Sequence, residues 1–142
     1  MTQLSNAYLD FVLDPEEAAF FLKSEAFPGA NLKNARFNLS FKVNTEHPVM
    51  NLVSTQQGQR QDPKHGLLDW VCAVYQTQTA DLEWRVEFAL PAGLPFLLQR
   101  IEIINLSDQI FRPDRMTFGK LRAGELHLSE NRPRETAFFS NG

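Results

Sequence analysis

The chain has 142 residues, one ordinary domain able to bury about two-thirds of its unfolded surface, with 43% hydrophobic content that excludes disorder. A net charge of −3 without a basic cluster gives no phosphate-backbone footprint, so no nucleic-acid partner is expected. The single Cys72 rules out an internal disulfide and a cysteine-based zinc site. Met1 to Asn6 has neither a basic start nor a long apolar run, so no signal peptide, no membrane span and a cytoplasmic location are expected.

Tyr8 to Leu13 reads as a first strand. Asp14-Pro15-Glu16-Glu17 fits a type I turn, and it also fits a short helix capped by Asp14 with Pro15 at its first position. The little chain left before Phe27-Pro28-Gly29 favours the turn. From Ala35 the residues alternate: Ala35, Phe37, Leu39, Phe41 and Val43 on one face, Arg36, Asn38, Ser40 and Lys42 on the other. Val49 to Thr55 is the next strand, and Gln56 to Gly66 reads as a solvated polar loop. Leu67 to Tyr75 is apolar at both parities, the pattern of a strand covered on both sides.

Leu82, Trp84, Val86, Phe88 and Leu90 then alternate with Glu83, Arg85 and Glu87, which marks a half-buried strand. Pro91 to Pro95 breaks it, and Phe96 to Ile104 follows at hairpin distance. Shorter strands are expected near Met116 to Leu121 and Glu125 to Leu128. Many short strands, with twelve Phe and two Trp to fill a core, predict an all-β fold of two packed antiparallel sheets.

No site residue stands out. His47, His65 and His127 are isolated and offer no paired spacing for a metal. Cys72 lies in the most apolar strand and reads as inert packing, and Ser107 and Ser140 lack a nucleophile elbow. Glu83, Glu87 and Glu102 fall on the polar faces of strands and Asp108 and Asp114 in turns, where solvation is the plain reading. Arg100 and Glu102 are expected to pair across strands with Arg85 and Glu87. Trp70 and Trp84 share register with apolar neighbours and read as core, with Phe37, Leu39 and Phe88 expected around Trp84. Tyr75 and Phe111 are therefore better placed than either tryptophan to stack on a sugar. No catalytic, cofactor-binding or metal-binding residue is assigned.

Leu94-Pro95-Phe96-Leu97-Leu98-Gln99-Arg100-Ile101-Glu102-Ile103-Ile104-Asn105, followed by Asp114-Arg115-Met116 and Gly119-Lys120-Leu121, resembles the N-terminal β-sandwich (supersandwich) of α-galactosidase-like enzymes in glycoside hydrolase family 36. Phe139-Ser140-Asn141-Gly142 is similar to the start of the segment at which the catalytic barrel of those enzymes begins. The resemblance implies a sandwich over 1–135 and, over 136–142, the start of a linker or first barrel segment, with the chain cut from something longer. It implies a non-catalytic domain that supports the barrel and joins subunit contacts in a homo-oligomer. The parent would be a retaining hydrolase of α-galactosides, using aspartates this chain does not contain. The alternative is a free-standing carbohydrate-binding or protein-interaction sandwich. One of Phe138 and Phe139 is expected to face outward, since neighbouring strand residues point to opposite faces.

Overall fold

The structure, a computed structural model, describes residues 1–25, 29–42, 49–108, 110, 112–120 and 126–127, with the backbone alone at 39–42, 112–119 and 126–127. Ten strands and no helix occur among them: β1 (Thr2–Ser5), β2 (Leu9–Asp14), β3 (Ala19–Ser24), β4 (Asn31–Lys42), β5 (Met50–Asp62), β6 (Gly66–Thr77), β7 (Leu82–Pro91), β8 (Leu98–Asn105), β9 (Arg112–Lys120) and β10 (Leu126–His127). They form two antiparallel sheets. The first runs β1-β2-β3-β4, with β9 and β10 both pairing β4, and the second runs β5-β6-β7-β8. This is the all-β, two-sheet antiparallel sandwich that the alternation predicts.

The core lies where the two alternating faces meet. Phe11, Leu13, Phe20, Ala35 and Phe37 come from the first sheet, and Val71, Ala73, Tyr75, Leu82, Trp84, Val86, Phe88 and Leu90 from the second. Phe88 joins the layers, with its ring centroid 4.9 Å from Phe11, 5.1 Å from Phe20 and 5.7 Å from Phe37. Trp84 is 5.8 Å from Phe37 and 5.2 Å from Tyr75 in tilted and edge contacts that suit the ring quadrupoles. Its indole Nε1 is buried without an acceptor among the described residues.

Pro15 to Ala18 is a turn and not a helix. The Asp14 carboxylate accepts from Glu17 N at 3.3 Å, and Ala18 takes φ 46° to return the chain into β3. The first strand expected at Tyr8 is β2, and β1 before it carries too short a pattern to be read.

One expectation is overturned in this part of the fold. Gln56 to Asp62 is not a loop: β5 continues through it, paired with β6 from Met50↔Thr77 to Asp62↔Gly66, and only Pro63 to His65 turn. Backbone pairing with β6 holds the strand, so it needs no apolar side chains. Thr55, Gln57, Gln59 and Gln61, on the parity of the inner face, are exposed there, which is why the segment reads as solvated. A register shift between Leu52 and Ser54 sets the parity. Leu52 faces Tyr75 on the core side, whereas Ser54 faces Val74 on the outer side, and Val53 is left 55% exposed between them. Everything on β5 beyond that bulge is one step out of phase with the alternation before it. The expected linker at 136–142, Phe138 and Phe139 included, lies outside the described residues.

Candidate functional site

The outer face of the second sheet is a shallow groove of about 370 Å³. Its floor is β6, where Trp70, Cys72 and Val74 project outward because Val71, Ala73 and Tyr75 take the core parity. Register fixes the rows across it. Gln56, Cys72, Glu87 and Arg100 stand side by side, and the next row is Ser54, Val74, Arg85 and Glu102. Trp70 closes one end between the small residues Gly58 and Ala89. A Cβ on Gly58 would lie 3.2 Å from the Trp70 ring, so the indole rests directly on the glycine backbone.

Trp70 therefore departs from expectation: it is half-buried on the outer face, while Trp84 is 2% exposed in the core. Cys72 departs likewise, being half-buried on the groove floor and outside the core. Both follow from one cause. A strand apolar at both parities does not reveal its core side, and pairing with β7 decides it by placing Tyr75 opposite Trp84. Tyr75, expected to be a sugar-stacking candidate, is instead 4% exposed, with its hydroxyl donating to the Pro15 carbonyl at 2.7 Å. Phe111 lies outside the described residues.

The charged walls are paired. Arg60 Nη1 and Nη2 donate to the two Glu87 oxygens at 2.7 and 2.6 Å, and its guanidinium lies 5.9 Å over the Trp70 ring. Arg85 Nε donates to Glu83 at 2.6 Å, and Gln76 Nε2 donates to the other Glu83 oxygen at 2.8 Å. Gln76 first, and then Arg85, hold the Glu83 carboxyl below the usual range against partial desolvation. Arg100 pairs with Glu102 on the same strand.

The expected cross-strand opposition is present in the register, as Arg85↔Glu102 and Glu87↔Arg100, yet the closest bonds run within strands and to β5. Arg60 is the member that sequence reasoning missed, because it sits in the stretch read as a loop. No periodicity signals it, because both parities from Gln56 to Asp62 are polar.

The arrangement supplies hydrogen bonds rather than a reacting group. Partial burial first, and then the nearby Glu87 carboxylate, push the Cys72 thiol up, away from the thiolate that nucleophilic chemistry needs. Glu83 and Glu87 each pair with a guanidinium at 2.6 Å, so neither stands as a free carboxylate in the groove. His65 is engaged by Asp62 at 3.0 Å in the β5–β6 turn, and its ring meets Phe96 edge-on at 5.7 Å. The side chains of His47 and His127 lie outside the described residues, as do those of Asp114 and Ser140. Among the described residues no three His, Cys, Asp or Glu side chains come together as a metal site, and no helix is long and apolar enough to cross a membrane. No family model, no curated protein and no solved structure matches this chain.

Proposed function

We propose that the chain is a non-catalytic β-sandwich module of an α-galactosidase-like glycoside hydrolase, one that supports a catalytic barrel and joins subunit contacts. The observation that carries this reading is the placement of the Arg-x-Glu-Ile-x-Asn run. It is β8, with Ile101 and Ile103 packed against the core and Arg100 and Glu102 turned to the outer face. The run that bears the resemblance is thus part of the scaffold, as a supporting domain requires.

The non-catalytic half of the reading follows from the carboxylates. Glycoside cleavage needs a proton-donating acid with a raised pKa beside a free carboxylate about 5 to 10 Å away. In the described groove Glu83, Glu87 and Glu102 are each tied to a guanidinium, and Glu83 is held below the usual carboxylate range, first by Gln76 and then by Arg85.

Two measurements test it. Coding sequence continuing past Gly142 into a Trp-containing segment and repeated βα units is the expected result, and a stop codon there would sink the supporting role. The purified chain should show no turnover of a chromogenic α-galactoside. Turnover abolished by changing Glu83, Glu87 or Glu102 to Gln would overturn the non-catalytic role.

A further inference from the structure

The groove has a chemistry that a supporting role does not use. Its floor is apolar and small, made of Cys72 and Val74, and Trp70 walls one end. Its sides are alternating guanidinium and carboxylate groups, Arg85 beside Glu87 along β7, facing Glu102 and Arg100 along β8. A pyranose ring is built the same way, with C–H groups on its faces and hydroxyls around its rim.

Each guanidinium has five N–H donors and each carboxylate about four lone-pair sites, so one internal ion pair leaves capacity for the adjacent hydroxyls of a sugar. Charge selects against other ligands. Arg60, Arg85 and Arg100 balance Glu83, Glu87 and Glu102, so the site has no net attraction for an anion or a cation. At about 370 Å³ the groove lies near the lower end of small-ligand sites, which span roughly 300 to 1,000 Å³.

We propose that the outer face of the second sheet is a binding site for a neutral pyranose saccharide. The ring lies with a C–H face on Cys72 and Val74, its edge against Trp70, and its hydroxyls between Arg85 and Glu87 on β7 and Arg100 and Glu102 on β8. This goes beyond the supporting role and holds whether or not a catalytic barrel accompanies the chain.

The lone cysteine gives a probe fixed in the groove floor. The full chain is titrated with galactose, glucose and melibiose, with glucuronate and glucosamine as charged counterparts, and backbone amide shifts are followed by NMR. Saturable shifts centred on Cys72, Val74 and Arg85 are expected with at least one neutral sugar. The same sugar should slow alkylation of Cys72 by iodoacetamide at mildly alkaline pH. Arg85→Ala and Glu102→Gln, both on the groove rim, should weaken binding about ten-fold or more while the far-ultraviolet circular dichroism stays unchanged.

Absence of saturable shifts with all three neutral sugars overturns the proposal. So does binding that leaves Cys72 unprotected, or that is unaffected in both variants, because the site is then elsewhere. Glucuronate or glucosamine binding more tightly than the neutral sugars would make this a charge site and equally overturn it. The supporting role survives each of those failures, since it is decided by the downstream coding sequence and the turnover assay.

Discussion

Arg60 on β5 reaches over β6 to hold Glu87 on β7 through two hydrogen bonds of 2.7 and 2.6 Å. The guanidinium passes above Trp70, which itself rests on Gly58, so three strands are tied by one stack on the outer face. The side chains are 40% and 17% exposed, which places the pair between a solvated ion pair and a buried one. Fork-on-carboxylate geometry raises its worth and solvent screening lowers it. A double-mutant cycle of Arg60→Ala and Glu87→Ala in urea should give a coupling energy of about 1 kcal/mol. Arg60→Lys should recover less than half of it, since an ammonium cannot present two parallel donors. A coupling below about 0.3 kcal/mol would mean the pair is an ordinary surface contact.

The two tryptophans should respond oppositely. Trp84 sits among Phe37 and Tyr75 at 2% exposure, so Trp84→Ala should cost about 3 to 5 kcal/mol, as large-to-small core changes do. Trp84→Phe should cost far less, because it also removes the orphaned indole N–H. Trp70→Ala forfeits one half-exposed contact face and should cost only about 1 to 2 kcal/mol. In fluorescence, Trp70→Phe should leave a blue-shifted emission shielded from acrylamide. Equal quenching of the two single-tryptophan proteins would refute this assignment of faces.

Legibility in the sequence tracked how one-sided each strand is. Leu82, Trp84, Val86, Phe88 and Leu90 alternate with Glu83, Arg85, Glu87 and the small Ala89, and the structure puts those five large apolar members at no more than 2% exposure. Leu67 to Tyr75 is apolar at both parities, so the pattern shows a strand but not its core side, and it points Trp70 and Cys72 to the face opposite the one they occupy. β5 beyond Thr55 is illegible for a different reason. Its glutamines form a strand through backbone pairing with β6, a partner contact that composition does not encode. The bulge at Val53 hides it further, by shifting the phase in the middle of the strand. The groove depends on both obscured features, since Gln56 and Trp70 face it only once that bulge and the core side of β6 are known.

Tyr75 makes alkaline stability measurable at one atom. Its hydroxyl donates to the Pro15 carbonyl at 2.7 Å, and burial is the largest of the causes that push its pKa well above the ordinary tyrosine value. The folded pKa is raised, so the stabilisation is complete below the unfolded value near 10 and is lost as pH climbs past it. The unfolded chain then binds fewer protons than the folded one, and stability should fall by about 1.4 kcal/mol per pH unit from this group. Tyr75→Phe should flatten that fall while costing about 1 to 2 kcal/mol at neutral pH, because the Pro15 carbonyl loses its donor. Ultraviolet titration of the folded chain should find one of its two tyrosines unionised until unfolding. Reversible ionisation of both near pH 10 with the fold intact would remove the argument.

The hairpin corners give a paired test with opposite signs. Gly66, which starts β6 after the Pro63–His65 turn, has φ 78°, and a Cβ there would meet nothing within 4 Å. The cost of a side chain at Gly66 is therefore backbone strain alone. Ala80, in the turn between β6 and β7, has φ 56° and already bears that strain, with its N–H donating to the Thr77 carbonyl at 2.9 Å. Left-handed backbone costs a non-glycine residue about 1 to 2 kcal/mol, and the extra freedom of glycine in the unfolded chain offsets about 0.4 to 1 of that. Gly66→Ala should accordingly destabilise, and Ala80→Gly stabilise, each by about 0.5 to 1 kcal/mol. Urea denaturation of both variants reads the two signs directly. Loss of stability in both would show that the Ala80 turn is not strained and that its methyl group contributes contacts of its own.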